Sequence, residues 1–407
     1  MQLGRNGRLV FLGALLVVLA AAWAAAAVYL WESRVPGNLS PPDLDVHDEF
    51  TRGELARASR YERFLRIELL LSQVALLGVL GLYAWRGHRL MRESAAGRIG
   101  TGMLLGMLGL ALVWLVQVPF WLLELWWQRR HGISRAEYPE AILGTWLGLG
   151  GEFLFICLAI LVVMGLAGFL RDRWWAVGAP FFIGLALLFV FVYPYLLPNL
   201  GSLRDRELTA EARQLADEQG IEPIPVKVEE VRTFTTAPNA EAAGLGPSRR
   251  IVLWDTLLTG RFEQNEIRFV IAHELAHHSR NHLWKSVGWY ALFAVPGAFL
   301  IALFTRRRGG LSRPEAVPVA LFVLVALQLL AGPVQNAIGR HLEAEADWVA
   351  LETTEDPDAA RALFRRFATT TLSEPNPPLW SQLLLDTHPT LLDRIKLAEA
   401  WERENGE

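Results

Sequence analysis

The sequence contains very little cysteine, few charges and no excess of basic residues. Cys157 is the only cysteine among 407 residues, which excludes a disulfide framework, and its place within an apolar run makes packing its expected role. A net charge of −3, with 20% charged residues, gives no indication of a nucleic-acid partner. No internal repeat is present, and low complexity is confined to an Ala-rich stretch near the N-terminus. These absences exclude a disulfide-rich secreted protein and argue against a nucleic-acid-binding one.

Apolar residues dominate the chain: they make up 52% of it, and 16 residues are Trp. A helix needs about 20 apolar residues to cross a bilayer. Seven uncharged runs approach or exceed that length, namely Leu9–Trp31, Leu69–Trp85, Ile99–Leu123, Phe153–Leu170, Trp174–Leu203, Ser286–Thr305 and Ala316–Gly339. We therefore expect a mainly α-helical, polytopic membrane protein with about seven transmembrane helices in contact with the lipid bilayer.

The first apolar run has two interpretations. Arg5 and Arg8 precede it and it contains Ala-rich triplets, as in a secretory signal peptide. However, the run is longer than the roughly 7–15 apolar residues of a signal-peptide core. We therefore favour an uncleaved membrane anchor.

The soluble segments are short and alternate with the predicted spans. The sequence divides into transmembrane helices one to five with their loops at 1–203, a soluble part at 204–285, helices six and seven at 286–339, and a second soluble part at 340–407. Neither soluble part is large enough to form a separate domain. We expect the two parts to form one unit seated on the membrane helices.

Local patterns predict the elements of the first soluble part. Apolar residues at helical spacing predict a helix over Asp205–Gln219. Alternation predicts a strand at Val226–Val231, and a short apolar run predicts another at Arg250–Trp254. A helix over Asn265–Trp284 is then expected to lead directly into the sixth span. The soluble unit should therefore carry a small β element beside its helices.

The run HELAHH at 273–278 carries the strongest chemical signal in the chain. His273 and His277 are four residues apart on a predicted helix, so both imidazoles can reach one metal ion. Glu274 then lies close enough to accept a proton from a metal-bound water. HExxH is typical of zinc peptidases, although a polar helix face can produce the same letters by chance.

A catalytic zinc site normally has three protein ligands and one open position. Glu343 and Asp347, which follow the seventh span, are again four residues apart and face the same way on a predicted helix. Glu343 is the predicted third ligand of one Zn²⁺ ion, and Asp347 is expected to accept the second ring N–H of a ligand histidine. Glu345 is the reserve candidate for the third ligand.

Three segments of the chain resemble the CAAX prenyl protease type I family, membrane-embedded zinc metallopeptidases that include bacterial heat-shock membrane proteases. The segments are HELAHHSRNH, RHLEAEAD and THPTLLDRI. The resemblance extends upstream to Pro238-Asn239-Ala240, Gly244 and RRIVLWDTLL, and its specific part covers Leu203 to Ile395. It implies a zincin-like catalytic unit among the membrane helices.

The resemblance also implies a role for each matching residue. The implied metal ligands are His273, His277 and Glu343, the general base is Glu274, and the carboxylate that orients a ligand histidine is Asp347. His388 matches a histidine thought to hydrogen-bond the tetrahedral intermediate, and Arg394 matches a structural or substrate-facing arginine. Both are therefore predicted to assist catalysis, since donors aimed at a developing oxyanion lower the barrier of acyl transfer.

The same resemblance places a substrate-binding edge strand after Asn239 and Ala240. Their backbone groups are expected to pair with an extended peptide by strand addition. Two residues depart from the family pattern, because Pro238 and Gly339 each stand where the family commonly has serine. Neither departure affects a predicted metal ligand.

Three further histidines lie close to these motifs. His278 and His282 are on the predicted zinc helix but off the face of the two ligand histidines, so we expect them to support the site or the packing. His341 precedes Glu343 by two residues. On a helix that spacing turns a side chain about 200° away, which argues against a ligand role.

The predicted function is that of an integral-membrane zinc metalloendopeptidase acting on a peptide or protein substrate. The resemblance implies C-terminal, CAAX-type processing of lipidated proteins or quality-control proteolysis of membrane proteins. Two alternatives remain open. One is a membrane scaffold or transporter with a structural zinc site, against which an open site containing Glu274 argues. The other is an inactive member that binds lipidated or unfolded proteins, against which the complete set of proposed catalytic residues argues.

The Arg-, Ala- and Trp-rich composition favours a bacterial cell membrane as the location. The positive-inside rule leans weakly toward an external active site. The family resemblance implies a cytoplasmic one. Because the arginine contents of the two sets of loops differ little, we predict an active site on the cytoplasmic side.

Overall fold

The computed structural model describes residues 5–89 and 96–406. Its helices are α1 (Arg5–Leu30), α2 (Val46–Glu49), α3 (Arg52–Arg86), α4 (Gly97–Arg130), α5 (Tyr138–Leu170), α6 (Trp175–Leu196), α7 (Arg206–Glu218), α8 (Gln264–Ser279), α9 (His282–Thr305), α10 (Val317–Thr354), α11 (Pro357–Thr371), α12 (Leu379–Leu385) and α13 (Leu391–Asn405). Its strands are β1 (Leu200–Ser202), β2 (Val226–Glu229), β3 (Ala240–Ala243) and β4 (Arg250–Trp254). The predicted fold class, mainly α-helical with a small β element, is confirmed.

Within the described part of the chain, six helices are long and apolar enough to cross a membrane: α3, α4, α5, α6, α9 and α10. They contain the second to seventh predicted spans. The first predicted span lies in α1, of which Val17–Leu30 is an apolar stretch. The predicted polytopic membrane protein is thus confirmed, with six such helices among the described residues, and a membrane-spanning role for α1 stays a prediction.

Two predicted boundaries of the membrane helices are corrected. The fifth span was expected to continue to Leu203, but α6 ends at Leu196 and residues 200–202 join the sheet as β1. The reason is Pro198, which lacks a backbone N–H and disfavours helical geometry in the residue before it. The second span is also longer than predicted, because it forms one helix, α3, with the preceding polar run 54–66.

The predicted zinc helix over Asn265–Trp284 is in fact two helices. The first, α8, ends at Ser279, and α9 begins at His282. Between them Asn281 adopts a left-handed conformation with φ of 58°, which Asn tolerates better than most residues and which cannot continue a right-handed helix. The break redirects the chain from the catalytic helix into the membrane span.

The ends of the membrane helices alternate between two sides of the bundle. On the catalytic side, the loop between α4 and α5 joins the segment before β3, with Arg135 N–H donating to the Phe234 carbonyl at 2.8 Å and Thr236 N–H donating to the Ile133 carbonyl at 2.9 Å. On the opposite side, Asp172 after α5 pairs with Arg306 after α9 at 3.2 Å. The soluble parts therefore collect on one side of the bundle.

A four-stranded sheet lies beside the catalytic helix, in the order β1-β2-β4-β3. β2 and β4 are parallel, whereas β1 and β3 run antiparallel to their neighbours. Because β3 is last in the order and pairs with β4 alone, it is an edge strand. The turn from β3 to β4 depends on Gly244, whose φ is 85°. A Cβ atom there would collide with the Ser248 carbonyl oxygen. Only glycine therefore allows this tight return of the chain.

One hydrophobic core unites the two soluble parts. Its fully or nearly fully buried members include Leu215, Ile251, Leu253, Ile271, Leu351, Phe364 and Ile395, which come from α7, β4, α8, α10, α11 and α13. Burying each such side chain contributes about 1.5–3 kcal/mol. Since 204–285 and 340–407 share this core, they pack together as expected, while the division of the chain into four intervals stays a prediction.

Candidate metal centre

Helix α8 holds the HExxH motif inside the protein. The helix begins with a reciprocal cap, in which Glu263 N–H donates to the Glu266 carboxylate at 2.7 Å. One face of α8 packs into the core through Ile271 and Leu275, both fully buried. Its other face carries His273 and Glu274, each only 7% exposed. The histidines of the motif are therefore held by a helix that is itself fixed by the core.

Helix α10 brings Glu343 to these histidines. The Nε2 atoms of His273 and His277 are 3.2 Å apart, and the Glu343 carboxylate lies 3.2 Å from the first and 3.6 Å from the second. Ligand atoms placed tetrahedrally at about 2.0–2.1 Å from a zinc ion would be about 3.3 Å from one another. The three side chains thus fit one zinc ion. Among the described residues, they form the group of His, Cys, Asp or Glu side chains whose ligand atoms lie close enough together to hold a metal ion.

Asp347 supports His273. Its Oδ1 lies 2.9 Å from His273 Nδ1, which leaves Nε2 directed toward Glu343. Arg394 in α13 donates to both oxygens of Asp347, at 2.6 and 2.7 Å, and stacks on Phe364 at 4.2 Å. Burial acts to lower the pKa of His273, but its contacts with Asp347 and Glu343 outweigh burial and raise this pKa to about 10.

His277 is supported by a different chain of contacts, in which His282 has a supporting position of the kind expected for it. His282 Nδ1 lies 2.9 Å from His277 Nδ1, and His282 Nε2 lies 3.0 Å from the Glu345 carboxylate. If His282 Nε2–H donates a hydrogen bond to the Glu345 carboxylate, then His282 Nδ1 has a lone pair and accepts a hydrogen bond from His277 Nδ1–H. His277 Nε2 is then left with a lone pair for the metal. Burial lowers the pKa of His277 well below its usual value, in keeping with a neutral ligand.

Glu345 is held away from the three predicted metal ligands by its own hydrogen bonds. Its carboxylate is fully buried and accepts hydrogen bonds from Arg280, His282 and Lys285 at 2.8–3.0 Å. The reserve candidate for the third ligand is therefore turned away from the two histidine Nε2 atoms. Among the described residues, the group with metal-binding geometry includes Glu343 and not Glu345.

Glu274 lies beside the metal-binding group with little access to solvent. Burial raises the pKa of Glu274 to about 7, and the negative charges of Glu343 and Glu241 add to this rise. The positive charge of His273 and a hydrogen bond from the Ala242 N–H oppose it. A carboxyl group with a pKa near neutrality can both accept and return a proton.

His388 approaches the site from the loop between α12 and α13. Its Nε2 is 3.4 Å from the Glu343 carboxylate, and its side chain is 60% exposed. Arg340 in α10 fixes this loop by donating to the carbonyl oxygens of Gln382 and Asp386 at 2.7 and 2.6 Å. At Gly339, an added Cβ atom would lie 2.8 Å from the Thr387 carbonyl oxygen. The glycine that departs from the family pattern therefore allows the His388 loop to approach α10 closely.

The pairing of edge strand β3 with β4 determines which of the predicted substrate-binding residues face the free edge. The Asn239 carbonyl accepts a hydrogen bond from Trp254 N–H at 2.9 Å, so its backbone faces β4. Backbone groups alternate in direction along a strand. Ala240 and Ala242, which pair with Leu253 and Ile251, therefore present their N–H and C=O groups to the free edge. Of the predicted pair, only Ala240 faces outward, and sequence reasoning missed Ala242.

The remaining histidines have other contacts. His278 is buried, and its Nε2 lies 3.4 Å from the Arg250 carbonyl oxygen in β4. Burial lowers the pKa of His278 to about 4. His341 Nε2 lies 2.7 Å from the Trp31 carbonyl oxygen, and its ring stacks on Trp31 with the ring centroids 4.0 Å apart. As expected, His341 faces away from the metal-binding group.

The sequence comparisons agree with this geometry. Residues 202–402 match Peptidase family M48. An uncharacterized metalloprotease, YhfN, of Bacillus subtilis is 28% identical over 65% of this chain and 64% of its own length. A CAAX prenyl protease 1 homolog of Arabidopsis thaliana is 26% identical over 68% of each chain. About a third of each of these two relatives therefore lies outside the match.

Two further comparisons extend the likeness. A protease HtpX homolog of Acidiphilium cryptum is 31% identical over 46% of this chain and 71% of its own length. The crystal structure of S. mikatae Ste24p has the same fold, with a TM-score of 0.69, 93% of this chain and 96% of that chain covered, and 19% identity. The resemblance inferred from HELAHH, RHLEAEAD and THPTLLDRI is confirmed: the chain is a member of peptidase family M48.

Proposed function

We propose that this chain is an integral-membrane zinc metalloendopeptidase. The observation that carries the proposal is the convergence of His273, His277 and Glu343 at tetrahedral spacing, beside the buried carboxyl group of Glu274. A purely structural site would be closed by a fourth protein ligand, whereas the described residues supply three. The comparisons lend no support to a scaffold, a transporter or an inactive binding protein.

The chain's own residues would divide the work of hydrolysis among them. A bound zinc ion would polarise the scissile carbonyl and activate a water molecule for attack. Glu274 would take a proton from the attacking water and deliver it to the leaving amine. The Ala242 N–H, which donates to the Glu274 carboxylate, would orient it for this transfer. Asp347 and His282 would keep the Nε2 atoms of the two ligand histidines available.

His388 and Arg394 receive different roles in this proposal. His388 is exposed and lies at the rim of the site, so it would donate a hydrogen bond to the developing oxyanion. Arg394 donates two hydrogen bonds to Asp347, through Nε–H and Nη2–H. We therefore assign Arg394 to positioning Asp347 and not to contact with the oxyanion.

The substrate would be an extended segment of a peptide or protein that adds to the free edge of β3. The Ala240 N–H and the carbonyl groups of Ala240 and Ala242 would supply the backbone hydrogen bonds, in the manner of strand addition, while the Ala242 N–H stays with Glu274. The site lies on the side of the bundle where the membrane helices meet the soluble core, which favours membrane-bound or lipidated substrates. The name of the Arabidopsis thaliana relative supports CAAX-type C-terminal processing, and membrane-protein quality control is the other possibility that the family resemblance implies.

The function is tested by Glu274→Gln in the full-length protein. We expect cleavage of a reporter peptide to fall by about 10²–10⁴-fold because the general base is lost, while Zn²⁺ stays bound. Rates and bound zinc are measured on the same preparation. Glu218→Gln, an exposed change in α7, is the matched control and should keep the parent rate. Cleavage by Glu274→Gln at the parent rate would refute the mechanism.

We propose a bacterial cell membrane as the location, with the active site on the cytoplasmic side. The structure allows a sharp test, because Arg307 and Glu355 lie near opposite ends of the membrane helices α9 and α10. Single cysteines at 307 and 355, in a Cys157→Ser background, are labelled in intact cells with a membrane-impermeant reagent. Labelling at 307 alone supports a cytoplasmic site, and labelling at 355 alone reverses the orientation.

A further inference from the structure

The segment that follows α1, residues 31–34, contacts the group that supports His277. We call it the exit segment, because here the chain leaves α1. Arg34 N–H donates to Glu345 Oε1 at 3.0 Å. The other Glu345 oxygen, Oε2, accepts hydrogen bonds from His282 and Lys285. The exit segment thus contributes directly to the hydrogen bonds of a fully buried carboxylate.

A buried carboxylate needs all of its donors. Removing water from an ionised group is costly unless protein groups replace the lost hydrogen bonds. Glu345 receives four donors from three places in the chain: the α8–α9 turn through Arg280, α9 through His282 and Lys285, and the exit segment through Arg34 N–H. Loss of one donor leaves the carboxylate under-satisfied and free to shift toward the rest.

The exit segment has further contacts besides the hydrogen bond from Arg34 N–H to Glu345. His341 stacks on Trp31 and lies 2.7 Å from its carbonyl oxygen. Lys285 Nζ donates at 2.8 Å to the Glu32 carbonyl, so it bridges the exit segment and Glu345. The Arg34 side chain, by contrast, makes only an exposed ion pair with Glu352 at 3.2 Å.

We propose that the exit segment is a positioning element of the metal site. Arg34 N–H fixes Glu345, Glu345 fixes His282, and His282 sets the orientation and the proton position of His277. Through this path a backbone N–H beyond the end of α1 governs the affinity for Zn²⁺. The proposal rests on the metal site described under the proposed function, but it concerns metal binding rather than cleavage.

The test uses Arg34→Pro and Arg34→Ala in the full-length protein. Proline removes the backbone N–H, whereas alanine keeps it and removes only the exposed side chain. We expect Arg34→Pro to weaken Zn²⁺ binding by about 10-fold or more, as loss of an outer hydrogen-bond partner does. Arg34→Ala should bind Zn²⁺ as the parent does. Affinity is measured by competition with a chromogenic chelator.

Thermal unfolding of the metal-free proteins separates positioning from a merely structural role. A lowered Tm of metal-free Arg34→Pro with parent affinity for Zn²⁺ would overturn the proposal. In a double-mutant cycle with Glu345→Gln, the two losses of Zn²⁺ affinity should be less than additive. Fully additive losses would show that Arg34 N–H does not act through Glu345, and would overturn it.

A second variant keeps the proposal testable if Arg34→Pro does not fold. His341→Ala releases Trp31 without touching Glu345, and it should weaken Zn²⁺ binding in the same direction. Parent affinity in this variant would overturn the proposal. Failure of the proposed function has a different signature: Glu274→Gln would retain full cleavage while Arg34→Pro still lost Zn²⁺ affinity.

Discussion

His273 and His277 lie one turn apart on α8, yet the protein supports them in different ways. His273 contacts a carboxylate directly, and that carboxylate, Asp347, is clamped by Arg394 from the C-terminal soluble part. His277 contacts another imidazole, His282, which stands between it and its carboxylate. One support therefore draws on the soluble core and the other on the membrane helix α9.

The pKa values of the two ligand histidines are shifted in opposite directions. Asp347 and Glu343 together overcome burial and raise the pKa of His273 to about 10, whereas burial lowers the pKa of His277 well below its usual value. A histidine that donates to a carboxylate is a more basic metal ligand than one that donates to a neutral imidazole. The comparison indicates that Asp347 contributes more to metal binding than His282 does. Two substitutions test this order, and a third tests whether the His388 loop also supports the metal.

The largest effect is expected for Asp347→Asn. The change removes the charge that faces Arg394 and leaves a buried guanidinium group without its partner. Breaking a buried pair in this way costs about 3–5 kcal/mol of the free energy of unfolding. Loss of the orienting carboxylate weakens metal binding by about 10–100-fold. Chemical unfolding and chelator competition measure the two quantities. Asp358→Asn, in an ion pair whose carboxylate is 87% exposed, is the control and should change neither.

A smaller effect is expected for His282→Phe, which preserves the ring volume. Glu345 keeps Arg280, Lys285 and Arg34 N–H as donors, so no buried charge loses all its partners. The loss of hydrogen bonds costs about 1–3 kcal/mol, and Zn²⁺ affinity should fall by about 10-fold. The same two measurements apply. If His282→Phe lowers Zn²⁺ affinity more than Asp347→Asn does, the order of the two supports is reversed.

The smallest effect on stability is expected for Gly339→Ser, which introduces the residue common in the family. The added Cβ atom meets the Thr387 carbonyl oxygen at 2.8 Å, so the His388 loop must move, at a cost of about 1 kcal/mol. Because His388 moves with its loop, kcat/KM should fall. Zn²⁺ affinity should stay unchanged, because neither support of the ligand histidines is touched. Gly332→Ser on the same helix, where an added Cβ atom meets nothing within 4 Å, is the control. A loss of Zn²⁺ affinity in Gly339→Ser alone would show that this loop supports the metal as well.

Much of the fold was predictable because its signals are local. Length and hydropathy placed the membrane helices, and alternation or apolar runs placed β2 and β4, the latter with the observed bounds Arg250–Trp254. The errors occurred where one residue changes the backbone direction. Pro198 ends α6, and left-handed Asn281 separates α8 from α9, although the surrounding hydropathy continues without interruption.

The candidate site was predictable to the extent that helical spacing governs it. Spacing of four residues aligned His273 with His277 and Glu343 with Asp347, and the structure brings all four together. Spacing placed His282 off the face of the ligand histidines, but it could not identify His277 as its partner, because the break at Asn281 turns its helix and returns its imidazole toward His277. Spacing also placed Glu345 away from Glu343, but it gave no sign that four donors surround the Glu345 carboxylate.

The sequence by itself determined that this protein is a mainly helical membrane protein carrying the HExxH motif of peptidase family M48, because apolar length, helical periodicity and short motifs are properties of short segments. Only the tertiary structure decided which groups hold each ligand histidine, which backbone groups of β3 face the free edge, and that Arg34 reaches Glu345 across 311 positions of the chain. Those outcomes depend on packing between segments distant in sequence. The free energy of satisfying a buried charge is settled by the neighbours that the fold supplies.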